Sequence, residues 1–265
     1  MIILRKLWFL ILIFSLAQIS EISAAISREN ANEIVLRTLD RARVTYSRSN
    51  PANYTYLRRT ETREFGKGGN LKEEKAKTFL VTKGKNAIQQ MSINGEKVSE
   101  SKLKQVQARE LQSQKEVGKS FHFGAGEHWT EFLTPETLER YEFALKGTEE
   151  LNGRKTYVVG FRPGSAPAKD QEILGRLLGA ISGTLWVDAV EFEIAKAQIH
   201  LDSEVSLWKG VAGVLRKLDF ELCRIRMADG AWFNQTSNGE LEGRKLWEPT
   251  RMKIKSESFN FQRIQ

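Results

Sequence analysis

The sequence predicts an antiparallel β protein, and three observations lead there. Most of the chain beyond residue 53 alternates apolar or β-branched residues with polar ones. Turn signals such as Asn94-Gly95, Asn152-Gly153 and Asp229-Gly230 punctuate that alternation. Helical periodicity is confined to one stretch near the start and to short segments later.

Residues 1–25 have the three parts of a secretory signal. Arg5 and Lys6 form a positive start, Leu7–Ile19 is apolar apart from Ser15 and Gln18, and Ser23-Ala24-Ala25 supplies small residues for cleavage. The apolar run is shorter than the ~20 residues a membrane span needs, so the expectation is cleavage, export and a single domain over 26–265. The only cysteine, Cys223, excludes an intramolecular disulfide framework and an acylated cysteine at the processing site. A net charge of +8 favours anionic partners, but the basic residues are dispersed, and nucleic acid is not an expected partner of an exported chain.

From Ser27 an amphipathic helix is expected. Ala31, Ile34, Val35, Thr38, Leu39 and Ala42 share one face, Glu33, Arg37, Asp40 and Arg41 lie opposite, and Asn50-Pro51 ends the segment. The period then changes to two. Strands are expected over 54–63, 75–82 and 87–93, with Gly66-Lys67-Gly68-Gly69-Asn70 as the first turn. Ser99–Lys119 is charged, Gln-rich and poor in apolar residues, and reads as a lid or exposed helix. Phe121–Gly126 reads as a loop, and Thr134-Pro135-Glu136 opens a short helix.

The second half reads as a meander. Tyr141, Phe143 and Leu145 alternate, and Tyr157, Val159 and Phe161 share a face after the Asn152-Gly153 turn. A short helix falls within Gln171–Leu178. Strands follow at 183–188, 191–201, 215–227, 232–242 and 251–261. In the third of these the apolar alternation slips from Leu218, Phe220 and Leu222 to Cys223, Ile225 and Met227, which predicts a bulge. About ten hairpin-linked strands describe an antiparallel barrel or a sheet curled into part of one.

No residue pattern points to catalysis. The three histidines, His122, His128 and His200, have no metal-site spacing, and no nucleophile elbow, phosphate loop or dinucleotide fingerprint occurs. Neither a cofactor nor a metal is expected, and the chain does not read as an enzyme. Aromatic residues are the remaining signal. Phe143, Tyr157, Phe161, Trp186, Phe192 and Trp232 are the candidate ligand-binding residues; such rings either fill a curved sheet or line an apolar cavity.

The run Gly183-Thr184-Leu185-Trp186-Val187-Asp188, followed by a turn and a strand bearing Lys196, resembles the LolA/LolB-like superfamily of periplasmic lipoprotein carriers and RseB-type sensors. Asn94-Gly95 to Ser99, Leu151-Asn152-Gly153-Arg154 to Tyr157, Gly230 to Trp232 and Trp247 to Pro249 are similar to an exported, outer-membrane lipoprotein-sorting-like branch. The resemblance implies an unclosed antiparallel half-barrel (mainly β, α+β) wrapped over a few helices, with an apolar concave cavity. It also implies a monomeric periplasmic carrier or binding protein for a lipid or the acyl part of a lipoprotein. Basic rim residues would meet headgroups, and contacts with envelope membranes would be transient. The alternative it carries is an envelope signalling or protein-interaction module on the same fold.

Overall fold

The computed structural model describes residues 30–44, 54–83, 87–97, 135–164, 173–206, 213–245 and 248–264. The signal segment, Ser27, the 99–119 segment, Phe121–Gly126, His122, His128, Thr134, Trp208 and Trp247 lie outside the described residues.

Helix α1 (30–44) buries Ala31, Ile34, Val35, Thr38 and Leu39, the stripe its periodicity predicts, and Thr38 Oγ1 donates to the Ile34 carbonyl at 2.8 Å. Strands β1 (Tyr54–Phe65) and β2 (Leu71–Lys83) are joined by a short 3-10 turn at Lys67–Gly69, where Gly68 and Gly69 take φ of 80° and 78°. β3 (Ala87–Ile93) and β4 (Glu96–Lys97) close on Asn94-Gly95. Helix α2 (Pro135–Leu138), β5 (Tyr141–Leu151), β6 (Arg154–Pro163), α3 (Ile173–Leu178), β7 (Ile181–Asp188), β8 (Ile194–Leu201) and β9 (Val205–Ser206) follow. Three long strands, β10 (Gly213–Arg226), β11 (Trp232–Lys245) and β12 (Glu248–Arg263), end the chain.

All pairings are antiparallel, and the order is β4-β3-β2-β1-β12-β11-β10-β8-β7-β6-β5, with β9 on β10. β4 and β5 end the sheet without meeting, so it is an unclosed, curved half-barrel rather than a closed one. Twelve strands exceed the expected ten because β4 and β9 are two-residue pairings, too short to alternate. The slipped alternation in β10 is a true irregularity, as the register with β11 shifts between Cys223 and Arg224. β8 starts at Ile194 rather than Glu191, because residues 189–193 form the turn after β7.

The core follows from the two-residue period. In β7, Ile181, Leu185 and Val187 point to one side with Val159 of β6, Ala197 of β8 and Leu222 of β10. Ala31, Ile34 and Val35 of α1 pack on that side. Leu177 of α3 joins Ile181 and Leu218 beside this cluster. A second cluster, Tyr54, Tyr56, Val81 and Phe233, ties β1 and β2 to β11.

Candidate functional site

Four of the six candidate aromatics come together on the helix side. Phe143 and Phe161 are paired across β5 and β6, Tyr157 stacks on Phe192 at 6.3 Å between ring centroids, and all four join the cluster that α1 covers. Gly183 makes room for one of them. A Cβ there would stand 2.8 Å from the Phe161 ring and 2.0 Å from the Gln198 carbonyl oxygen, so only glycine lets that ring lie against β7.

The other two sit in polar company. Alternation along β7 turns Trp186 away from Leu185 and Val187. Its indole N–H donates to Glu149 at 2.7 Å, and the Lys196 ammonium lies 5.0 Å from its ring. The Trp232 indole donates to Glu191 at 2.6 Å.

Glu191 belongs to the turn that joins β7 to β8, and this turn organises one end of the half-barrel. The Asp188 carboxylate accepts from the backbone N–H groups of Val190 and Glu191, at 3.0 and 2.8 Å, and from Arg154 at 2.6 and 2.8 Å. Burial pushes the Asp188 carboxyl up, but the Arg154 guanidinium and the two N–H groups outweigh it and hold the group below the usual carboxylate range. Arg226 holds the Glu191 carboxyl low as well; burial opposes this, and the Trp232 indole adds to it. Glu193, only 6% exposed, lies between Arg41 of α1 at 3.1 Å and Arg224 of β10 at 2.9 Å.

Phe192, between these carboxylates, has φ of +56°. For an aromatic L-residue that conformation costs about 1–3 kcal/mol and persists only where the surroundings over-determine it. Here the Phe192 N–H donates to the Asp188 carbonyl at 3.0 Å and the Asp188 N–H to the Glu193 carbonyl at 2.8 Å. The turn thereby presents the ring to α1, where the Arg37 guanidinium carbon lies 3.7 Å from its centroid. Five arginines thus ring this turn: Arg37, Arg41, Arg154, Arg224 and Arg226. Sequence reasoning placed Arg37 and Arg41 on the solvent face of their helix and gave the other three no role. The pair Arg224 and Arg226, in the slipped part of β10, was the one available signal.

The opposite face of the sheet carries a trough of about 570 Å³. Two rungs of paired residues flank it, Gln198-Glu221-Asn238-Lys255-Glu61 and His200-Asp219-Glu240-Lys253-Arg63. Between them runs Ile199-Phe220-Gly239-Ile254, and Ile199 and Phe220 pack with the apolar clusters on the helix side. The floor of the trough is therefore backbone. Its charges largely satisfy one another: Glu221 pairs with Lys196, and Glu240 with Lys217, Lys253 and Arg251.

At one end of the trough a serine, a histidine and an aspartate meet without forming a nucleophilic triad. Ser182 Oγ donates to Asp202 Oδ1 at 2.6 Å and lies 2.8 Å from His200 Nε2, while the same aspartate oxygen is 3.4 Å from that nitrogen. A base needs the histidine between hydroxyl and carboxylate, whereas here the hydroxyl is already committed to the carboxylate. Among the described residues no group of three His, Cys, Asp or Glu side chains could hold a metal ion, and no helix is long and apolar enough to cross a membrane.

No protein-family model matches the chain, and no curated protein matches it. Among solved structures it is similar to a DUF1329 family protein from Desulfovibrio piger, at 11% identity over 89% of this chain and 93% of that one, with a TM-score of 0.34. It is also similar to a domain described as outer membrane lipoprotein-sorting from Vibrio parahaemolyticus, at 13% identity over 85% and 91%, TM-score 0.33. A third likeness is to a LolA superfamily protein from Nitrosomonas europaea, at 10% identity over 89% and 94%, TM-score 0.30.

Proposed function

We propose that the chain is exported to the periplasm and acts there as a non-covalent carrier or binding protein for an acyl chain, that of a lipid or of an acylated protein. One observation carries this reading: the helix side of an unclosed sheet gathers Phe143, Tyr157, Phe161 and Phe192 into one apolar cluster covered by α1. β5 ends the sheet among the described residues, and the reading has the acyl chain enter past that edge. Each methylene moved from water to such a surface is worth about 0.8 kcal/mol, enough for firm holding by a long chain with no covalent step. The apolar contact is non-directional, so chain length rather than chemical detail sets affinity.

The test is native mass spectrometry of protein extracted from its own envelope, followed by titration of the delipidated protein with a fluorescent fatty acid. Expected are co-purified lipid, saturable uptake, and weaker uptake in Phe161→Ala. A protein that carries no lipid and takes up no fatty acid sinks the carrier reading. Intact mass on the same sample checks the start near Ile26. Retention of residues 1–25 in a membrane fraction would replace a cleaved signal with an anchor.

The second reading, a protein-interaction module, draws on the charged trough across the sheet. A salt-sensitive protein complex that survives Phe161→Ala but not reversal of Lys253 and Lys255 to Glu would favour it.

A further inference from the structure

We propose that the arginine ring around the 188–193 turn binds an anionic headgroup, phosphate or carboxylate, with Arg37 as the residue that contacts it. The proposal rests on the carrier reading, since Phe192 belongs both to the apolar cluster under α1 and to this turn.

Charge is the first ground. Five guanidinium groups, those of Arg37, Arg41, Arg154, Arg224 and Arg226, surround three carboxylates, Asp188, Glu191 and Glu193. Two positive charges are left over at the end of an apolar surface, where an amphiphile's polar end must lie if its chain lies against Phe143 and Phe161. Arg41, Arg154 and Arg226 keep 28%, 31% and 29% of their side-chain surface open to solvent, so the ring is reachable.

Geometry is the second. Each of the other four arginines is committed to a carboxylate. Among the described residues Arg37 has no carboxylate partner; its one contact is the face of the Phe192 ring, 3.7 Å away. A stacked guanidinium uses its flat face, and its N–H donors, which lie in its own plane, stay free for a bidentate oxyanion. The stack is held at the expense of an unfavourable backbone, because Phe192 adopts φ of +56° to place its ring there. The same turn places the ring both in the apolar cluster and under Arg37. Orienting Arg37 gives the strain a use.

The experiment compares two probes with identical chains, dioctanoyl phosphatidylglycerol and dioctanoylglycerol, by calorimetric titration of the mature protein. Arg37→Ala should weaken the phosphate-bearing probe about tenfold or more and leave the neutral one unchanged. Arg37→Lys should recover only part, because it keeps the charge but loses the fork. Arg43→Ala makes the same charge change at a site 57% exposed and away from the ring, and should move neither probe by more than about twofold. Equal loss for both probes, or equal loss in Arg43→Ala, overturns the headgroup site. Inorganic phosphate separates a headgroup from a free anion. Arg37-dependent phosphate binding as tight as that of the lipid would assign the ring to the free ion and overturn the headgroup assignment. If neither lipid binds, the carrier reading falls. Arg37-dependent phosphate binding would then still stand as an anion site, whereas no phosphate binding would remove the anion site too.

Discussion

The two faces of the sheet are built from the same strands and do opposite things. On β8 and β10 the triplets Gln198-Ile199-His200 and Asp219-Phe220-Glu221 send their outer members into the polar trough and their middle members toward the helix side. Charges on the trough face are numerous but locally balanced, each acid near a base on its own or the neighbouring strand. At the 188–193 turn on the helix side the carboxylates are partly or fully buried, and arginines outnumber them. The difference separates charge that keeps a sheet face in water from charge held in place for a partner. Balanced, exposed pairs contribute little to stability. Buried, oriented ones are strongly destabilising when broken.

The comparison breaks first on the helix side. Phe143→Ala removes a ring 7% exposed and should destabilise by about 3–5 kcal/mol in urea titration. A loss below about 1 kcal/mol would mean that α1 covers a loosely packed surface, which would itself favour an acyl site there. Asp188→Ala strips four donors of their acceptor at a side chain 1% exposed, and about 3–5 kcal/mol is again expected. A near-neutral result would show that the turn is not the organising element described above.

Gly183→Ala should cost about 1–3 kcal/mol through overpacking, since the new methyl group meets Phe161. Pairing it with Phe161→Leu should recover part of the loss if that contact is the cause. Unchanged loss in the double variant would place the strain at the Gln198 carbonyl instead.

Acid sharpens the contrast. The carboxyls of Asp188 and Glu191 sit lower in the folded chain than in the unfolded one, so the folded state binds fewer protons in acid. Their contribution is complete above the ordinary carboxylate values near ~4 and is lost as pH falls through the folded values. Asp188→Asn should therefore flatten the acid limb of a stability-against-pH curve measured from pH ~6 down to ~2. The smallest effect belongs to the trough. Glu240→Gln, among Lys217, Lys253 and Arg251, should change stability by less than about 1 kcal/mol, and less again in high salt. A larger change would mean that the trough face is built for something its balance conceals.

Local chemistry by itself determined much of this protein. The stripe Ala31, Ile34, Val35, Thr38 and Leu39 dictated α1, because a 3.6-residue period leaves one face to bury. Asn94-Gly95 and Asn152-Gly153 dictated their hairpins, because φ of +50° and +51° at the two asparagines suits tight turns of that hand. The slip after Leu222 dictated the β10 irregularity, because one extra residue reverses every later side chain. Tertiary structure alone decided whether the sheet closes, since nothing in the local sequence of β4 or β5 says whether these two edges pair. It also decided which aromatics meet. Phe143, Phe161 and Phe192 converge through the pairing of β5, β6 and β7, whereas Trp186, inside the most recognisable motif, turns to the other face. The arginine ring was hidden for the same reason: its members are drawn from α1, β6 and β10, and no sequence period links residues that only a folded sheet and its covering helix bring to one turn.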